Sequence, residues 1–176
     1  NSALTLASGE WIALLDHDDC LAESALFWVV DAINQDPQRR LIYSDEDKID
    51  AQGRRFDPYF KTDWNEGLFY SQNLITHLGV YHAELVRRIG GFKEGVEGAQ
   101  DYDLALRCIE HLTPAQIHHV PRVLYHWRVH AESTAQSSDA KPYAMIAGEK
   151  ALQAHLNRQG VQAKATLMNY GYRVQY

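Results

Sequence analysis

The sequence predicts strands alternating with helices, an α/β or α+β architecture. Three observations carry that expectation. Two short apolar runs, Trp11–Leu15 and Leu41–Tyr43, each stop at a polar, acidic segment, as buried strands do. Between them, residues 24–35 carry apolar side chains at 26, 29, 30 and 33, which is helical spacing. A long helical stretch, Pro142–Arg158, follows near the end and is stopped by Gly160.

The remaining elements follow in order. Asp36-Pro37 ends the first helix. Gln52-Gly53 and Asp57-Pro58 are turn signals. The aromatic-rich stretch from Phe56 to Gln72 is expected to be irregular and packed over something. Thr76–Tyr81 reads as a strand, and Ala83–Ile89 as a helix closed by Gly90-Gly91. Asp101–His111 reads as a helix with Pro114 beyond its end. Ile117–Val120 and Val123–Tyr125 are strand-like, and Ser133–Asp139 is a polar loop. Residues 161–176 alternate weakly, as one or two strands would.

Composition narrows the function. The chain has 176 residues, 45% hydrophobic and 23% charged, which suits one globular domain. Its net charge of −6 argues against a nucleic-acid partner. The longest apolar run, Ala25–Val30, has six residues, against roughly 20 for a spanning helix. Cys20 and Cys108 are too few for a disulfide framework or a four-cysteine metal site and read as reduced core thiols of a cytosolic chain. Asn1 and Tyr176 look like cut ends, so the chain reads as a piece of a longer protein.

Four segments carry chemistry. Asp16-His17-Asp18-Asp19 follows an apolar strand, and three clustered carboxylates need a cation or hydrogen bonds. If the strand continues, Asp16 and Asp18 share one side and suit a hard divalent ion. A solvated turn with Asp19 as helix cap fits equally well. Ser44-Asp45-Glu46-Asp47 ends a second strand; Ile49 and Asp50 break an EF-hand pattern, and a charged turn is the favoured reading. Both acidic ends could nonetheless face one crevice, since ligands gather at the carboxyl ends of strands. Gly98-Ala99-Gln100-Asp101-Tyr102-Asp103 opens a helix whose dipole favours an ionised Asp101, suited to general-base work; an ordinary helix cap is the commoner case. In Tyr125-His126-Trp127-Arg128-Val129-His130, the two histidines are four apart, but Trp127 stands where a zinc protease needs Glu. One histidine ligand from this segment fits better than a zinc pair.

Together, these segments resemble glycosyltransferase family 2, the inverting family with the GT-A fold. The match runs from Ala7-Ser8-Gly9-Glu10 through Asp19, then Gly90-Gly91-Phe92, the Gly98–Leu104 stretch, and Tyr125–His130 with Ser133. Tyr43–Lys48 is similar to the subgroup that assembles bacterial O-antigen, rhamnan and related polysaccharides. The resemblance implies an α/β, partial GT-A fold, a mixed sheet flanked by helices. Residues 1–135 would form the metal and acceptor side, and 136–176 a helix-and-strand extension of the same domain. It further implies that the nucleotide-binding half is absent.

The resemblance also assigns roles. Asp16 and Asp18 match the DxD motif that holds Mn²⁺ or Mg²⁺, with Asp18 as the direct ligand. Asp101 matches the catalytic base, with Gln100 where the family has Glu. His130 matches a further metal ligand, and His126 is the fallback. Asp16, Asp18, Asp19 and Arg128 would bind the donor, and Gly91, Phe92, Gln100 and Trp127 would lie on the acceptor side. The implied donor is a UDP-, dTDP- or GDP-sugar, and the acceptor a glycan or lipid-linked glycan. The expected location is cytoplasmic, peripheral at the inner face of the bacterial membrane. An exposed sheet edge could pair two copies as a homodimer. The rival readings are a non-catalytic sugar-binding or assembly module and a metal-dependent phosphohydrolase.

Overall fold

A computed structural model describes residues 1–129 and 142–176. Its centre is a mixed sheet in the order β1-β5-β3-β6-β2, with β4 paired to β3. These strands are β1 Trp11–Ala13, β2 Cys20–Leu21, β3 Leu41–Ile49, β4 Arg55–Tyr59, β5 Gly79–His82 and β6 Ile117–Arg128. β3 and β6 run parallel, and the other pairs are antiparallel. The helices are α1 Ser2–Leu6, α2 Ala25–Gln35, α3 Glu66–Ser71, α4 Ala83–Arg88, α5 Gln100–Ile109 and α6 Pro142–Arg158. A hairpin, β7 Lys164–Leu167 with β8 Tyr172–Gln175, forms a second small sheet.

Alternation along β3 divides the core between the two faces of the sheet. Leu41 and Tyr43 belong to a cluster with Leu104 and Leu106 of α5 and Leu152 and Leu156 of α6. Ile42 belongs to the opposite cluster, with Ala25, Val29 and Ala32 of α2. Residues 142–176 therefore pack into the same core as the rest. Leu106 is fully buried. Leu106→Ala is expected to cost about 2–5 kcal/mol of stability, read by urea unfolding.

Several expectations change here. β1 is a half-buried edge strand of three residues rather than a buried run of five. The stretch from Phe56 to Gln72 is not irregular throughout, since it contains β4 and α3; Asn65 caps α3 by accepting from the Leu68 N–H. β6 is one strand of twelve residues, passing through Pro121 with a register irregularity against β3. The largest change concerns Ser44-Asp45-Glu46-Asp47. These residues are not a charged turn: β3 runs on through them and buries all four. A strand this acidic can stay buried because each carboxylate meets a partner. His119 Nε2 lies 2.8 Å from Asp45, His126 Nδ1 2.5 Å and Arg55 Nε 2.6 Å from Asp47, and Lys61 Nζ 3.3 Å from Glu46.

Among the described residues, no helix is long and apolar enough to cross a membrane. Cys108 is buried and Cys20 half-buried, both as free thiols.

Candidate functional site

The acidic loop after β1 is shaped by a turn. The Asp19 N–H donates to the Asp16 carbonyl at 3.2 Å, which puts His17 and Asp18 at the tip. The strand does not continue, so Asp16 and Asp18 do not share a strand face. The turn instead brings Asp16 and Asp19 together. The end of β6 holds this loop in place. Tyr125 donates its hydroxyl to Asp19 at 2.5 Å and accepts from the Asp16 N–H at 3.2 Å. The Arg128 N–H donates to Asp19 at 2.7 Å, its Nε to the Asp18 carbonyl at 2.7 Å, and its Nη2 to Cys20 Sγ at 2.9 Å. Burial raises the pKa of Asp19, outweighing the hydrogen bonds from Tyr125 and Arg128.

His77 completes a cluster. Asp16, Asp19 and His77 each offer one ligand atom, all within 4.8 Å of one another. Ligands ~2.0–2.1 Å from Mg²⁺ sit about 3–4 Å apart, close to the spacing of these three atoms. Two carboxylates and an imidazole also suit Mn²⁺. The donor set therefore fits a divalent cation. Asp18, expected as the direct ligand, lies outside this set because the turn carries it to the tip beside His17.

The ring of His77 is fixed from three sides. It stacks on Tyr125 at 4.5 Å between centroids and meets Trp127 at 5.3 Å. Its buried Nδ1 lies 3.3 Å from Glu46 Oε2 but makes no hydrogen bond, and Nε2 faces Asp16 at 4.0 Å. A carboxylate on one ring nitrogen with a cation at the other is a recurrent arrangement in metal sites. Burial resists protonation of His77, but Glu46 outweighs it and raises the pKa.

Glu46 titrates the other way. Burial alone would raise its pKa, but His77, Lys61 and Thr76 together hold it at about 2. A carboxylate whose pKa is depressed on folding stabilises the fold above its unfolded value and ceases to as pH falls through the folded one. Here that window runs from 4.5 down to about 2. Between about pH 5 and pH 3, the wild type should therefore lose more stability than Glu46→Gln, as measured by urea unfolding at each pH.

Asp101, in the first turn of α5, belongs to the same neighbourhood. Its pKa is affected by the charges of both His77 and Asp16. Asn73 Nδ2 donates to its Oδ2 at 2.8 Å. The helix terminus was expected to keep this carboxyl strongly acidic. Burial outweighs that influence, together with the charge of His77, and raises the pKa instead.

The other predicted residues divide. Trp127 and Arg128 reach the site, as described. His126 turns away to pair with Asp47. Gln100 accepts from the Gly98 N–H at 2.7 Å, within its own turn. Gly91 ends α4 at φ +69°, and the Asn1 side chain pairs with both the N–H and the carbonyl of Phe92. Gly91 serves the helix end, and Phe92 packs against the core cluster that holds Leu104 and Leu106. His130 and Ser133 lie outside the described residues. Sequence reasoning missed His77, Asn73 and Lys61. None lies in a motif, and each sits in the connection between β4 and β5, two strands that both run antiparallel to β3.

Known proteins share this fold. A mannosyl-3-phosphoglycerate synthase from Rubrobacter xylanophilus superposes with a TM-score of 0.59 at 16% identity, over 98% of this chain and 58% of that one. The fold is the GT-A fold of glycosyltransferases. An uncharacterized protein of Sinorhizobium fredii, y4gI, is 55% identical over 90% of this chain. The O-antigen biosynthesis protein RfbC of Myxococcus xanthus is 37% identical over the full chain. The chondroitin synthase of Escherichia coli is 26% identical over 77% of this chain and 19% of its own length. The chain spans 17% and 14% of the lengths of y4gI and RfbC. No protein-family model matches it. With RfbC 37% identical over the full chain, the chain belongs to the same family, and the relatives bear out the resemblance to GT-A glycosyltransferases of family 2.

Proposed function

We propose that this GT-A chain carries the metal, acceptor and base side of an inverting glycosyltransferase that builds a cell-surface polysaccharide. The observation behind this reading is the cluster of Asp16, Asp19 and His77, with Asp101 tied to the adjoining Thr76 through Asn73, which donates to Asp101 and accepts from the Thr76 N–H.

In this reading Asp16, Asp19 and His77 hold Mn²⁺ or Mg²⁺. The bound ion would offset the charge of the leaving nucleoside diphosphate. Asp18 and Arg128 flank the donor, a UDP-, dTDP- or GDP-sugar. Trp127, beside His77, offers the acceptor sugar an aromatic face. The Asp101 carboxylate takes the proton from the acceptor hydroxyl as that oxygen bonds to the anomeric carbon. The bond from that carbon to the diphosphate oxygen breaks, and the diphosphate leaves with the electron pair. A raised pKa makes Asp101 a stronger base than an ordinary carboxylate, at the cost of a higher pH for ionisation.

A single displacement inverts the anomeric centre. Proton NMR of the first product should therefore show the configuration opposite to the donor's, and a retained configuration would rule the mechanism out. A homodimer through the edge of β1 and a position at the inner membrane face belong to the same proposal. A monomeric mass at every concentration by light scattering counts against the dimer.

A further inference from the structure

A buried lysine lies behind the candidate cation cluster. The Lys61 side chain is fully buried, though it belongs to no motif. Its ammonium has three protons and three acceptors. It donates to the His77 carbonyl at 2.6 Å, the Ile75 carbonyl at 2.8 Å and Glu46 Oε2 at 3.3 Å. The same Glu46 oxygen accepts from the Thr76 hydroxyl at 2.8 Å and the His77 N–H at 3.0 Å. Residues 75–77 are therefore gripped at their carbonyls by Lys61 and at their donors by Glu46. The Lys61 N–H also donates to Asp45 Oδ1 at 2.8 Å, which fixes the lysine backbone to β3.

Core packing does not require this. A buried ion pair costs desolvation, and an apolar pair of similar volume often serves stability as well. What the pair achieves here is placement: it holds the backbone of residues 75–77, from which the His77 ring reaches toward Asp16.

We propose that Lys61, acting with Glu46, is a positioning residue that presets His77 as a cation ligand. This rests on the proposed ligand set of Asp16, Asp19 and His77. Loss of such outer partners typically weakens metal binding ~10–100-fold.

The test is calorimetric titration of Mn²⁺ into the intact protein and its variants, with thermal unfolding measured alongside. Lys61→Met keeps the length of the side chain and removes its donors. It should weaken Mn²⁺ binding about 10–100-fold in a folded protein, and His77→Ala should weaken it at least as much. If Lys61→Met does not fold, the double variant Lys61→Met/Glu46→Gln removes the unpaired buried charge and should show the same loss of affinity. A purely structural lysine would lower the melting temperature and leave Mn²⁺ affinity within about twofold of wild type; that result overturns the proposal while the ligand set stands. Wild type that binds no Mn²⁺, or His77→Ala that binds as wild type does, overturns the ligand set and this inference with it.

Discussion

In the full-length parent, Asp101→Asn is expected to fold normally and to lose about 10²–10⁴-fold in transfer rate, the usual contribution of a general base. The substitution keeps the size of the side chain and an oxygen that can accept from Asn73 Nδ2. It removes the carboxylate that would take the acceptor's proton. Because burial raises the pKa of Asp101, the acidic limb of the rate profile should lie above the ordinary carboxylate range and vanish in the variant. Steady-state rates with a nucleotide-sugar and an oligosaccharide acceptor, taken across pH, check both points. An active Asp101→Asn protein with an unchanged profile moves the base elsewhere.

Asp16→Ala should nearly abolish Mn²⁺ binding, a loss beyond the ~10–100-fold of an outer-partner mutation. Its side chain is 64% exposed, and the Tyr125 contact uses its backbone N–H, so the fold should not suffer. Asp18→Ala, at the tip of the turn, is expected to weaken the metal less than Asp16→Ala. The reverse order would restore Asp18 as the direct ligand, the role the family resemblance gives it. Affinity should also fall with acidity, because a cation displaces protons from Asp19 and His77, both held with raised pKa values.

Local signals located most of the helices, because apolar spacing and stop residues are short-range features. α2 and α6 lie where their periodicity and terminators put them. β3 was cut short at Tyr43 because its next four residues are polar, and polarity normally marks a strand's end. The strand continues because His119, His126, Arg55 and Lys61 arrive from up to seventy-nine residues away in sequence. The site shows the same division. Asp16, Asp19, Asp101, Trp127 and Arg128 stood in segments that could be read from the sequence. His77 did not, since Thr76-His77-Leu78 reads only as the start of a strand. Its role depends on Glu46 behind it and Tyr125 beneath it, partners from β3 and β6 that only the folded sheet brings together.

The account stands on a cation held by Asp16, Asp19 and His77 that in turn holds the donor's diphosphate. Its most direct test is calorimetric titration of UDP-, dTDP- and GDP-sugars into the intact protein, with and without saturating Mn²⁺. The predicted result is binding of one nucleotide-sugar that needs Mn²⁺ and is lost in Asp16→Ala. Donor binding that is equally strong without metal, or unchanged in Asp16→Ala, would contradict it.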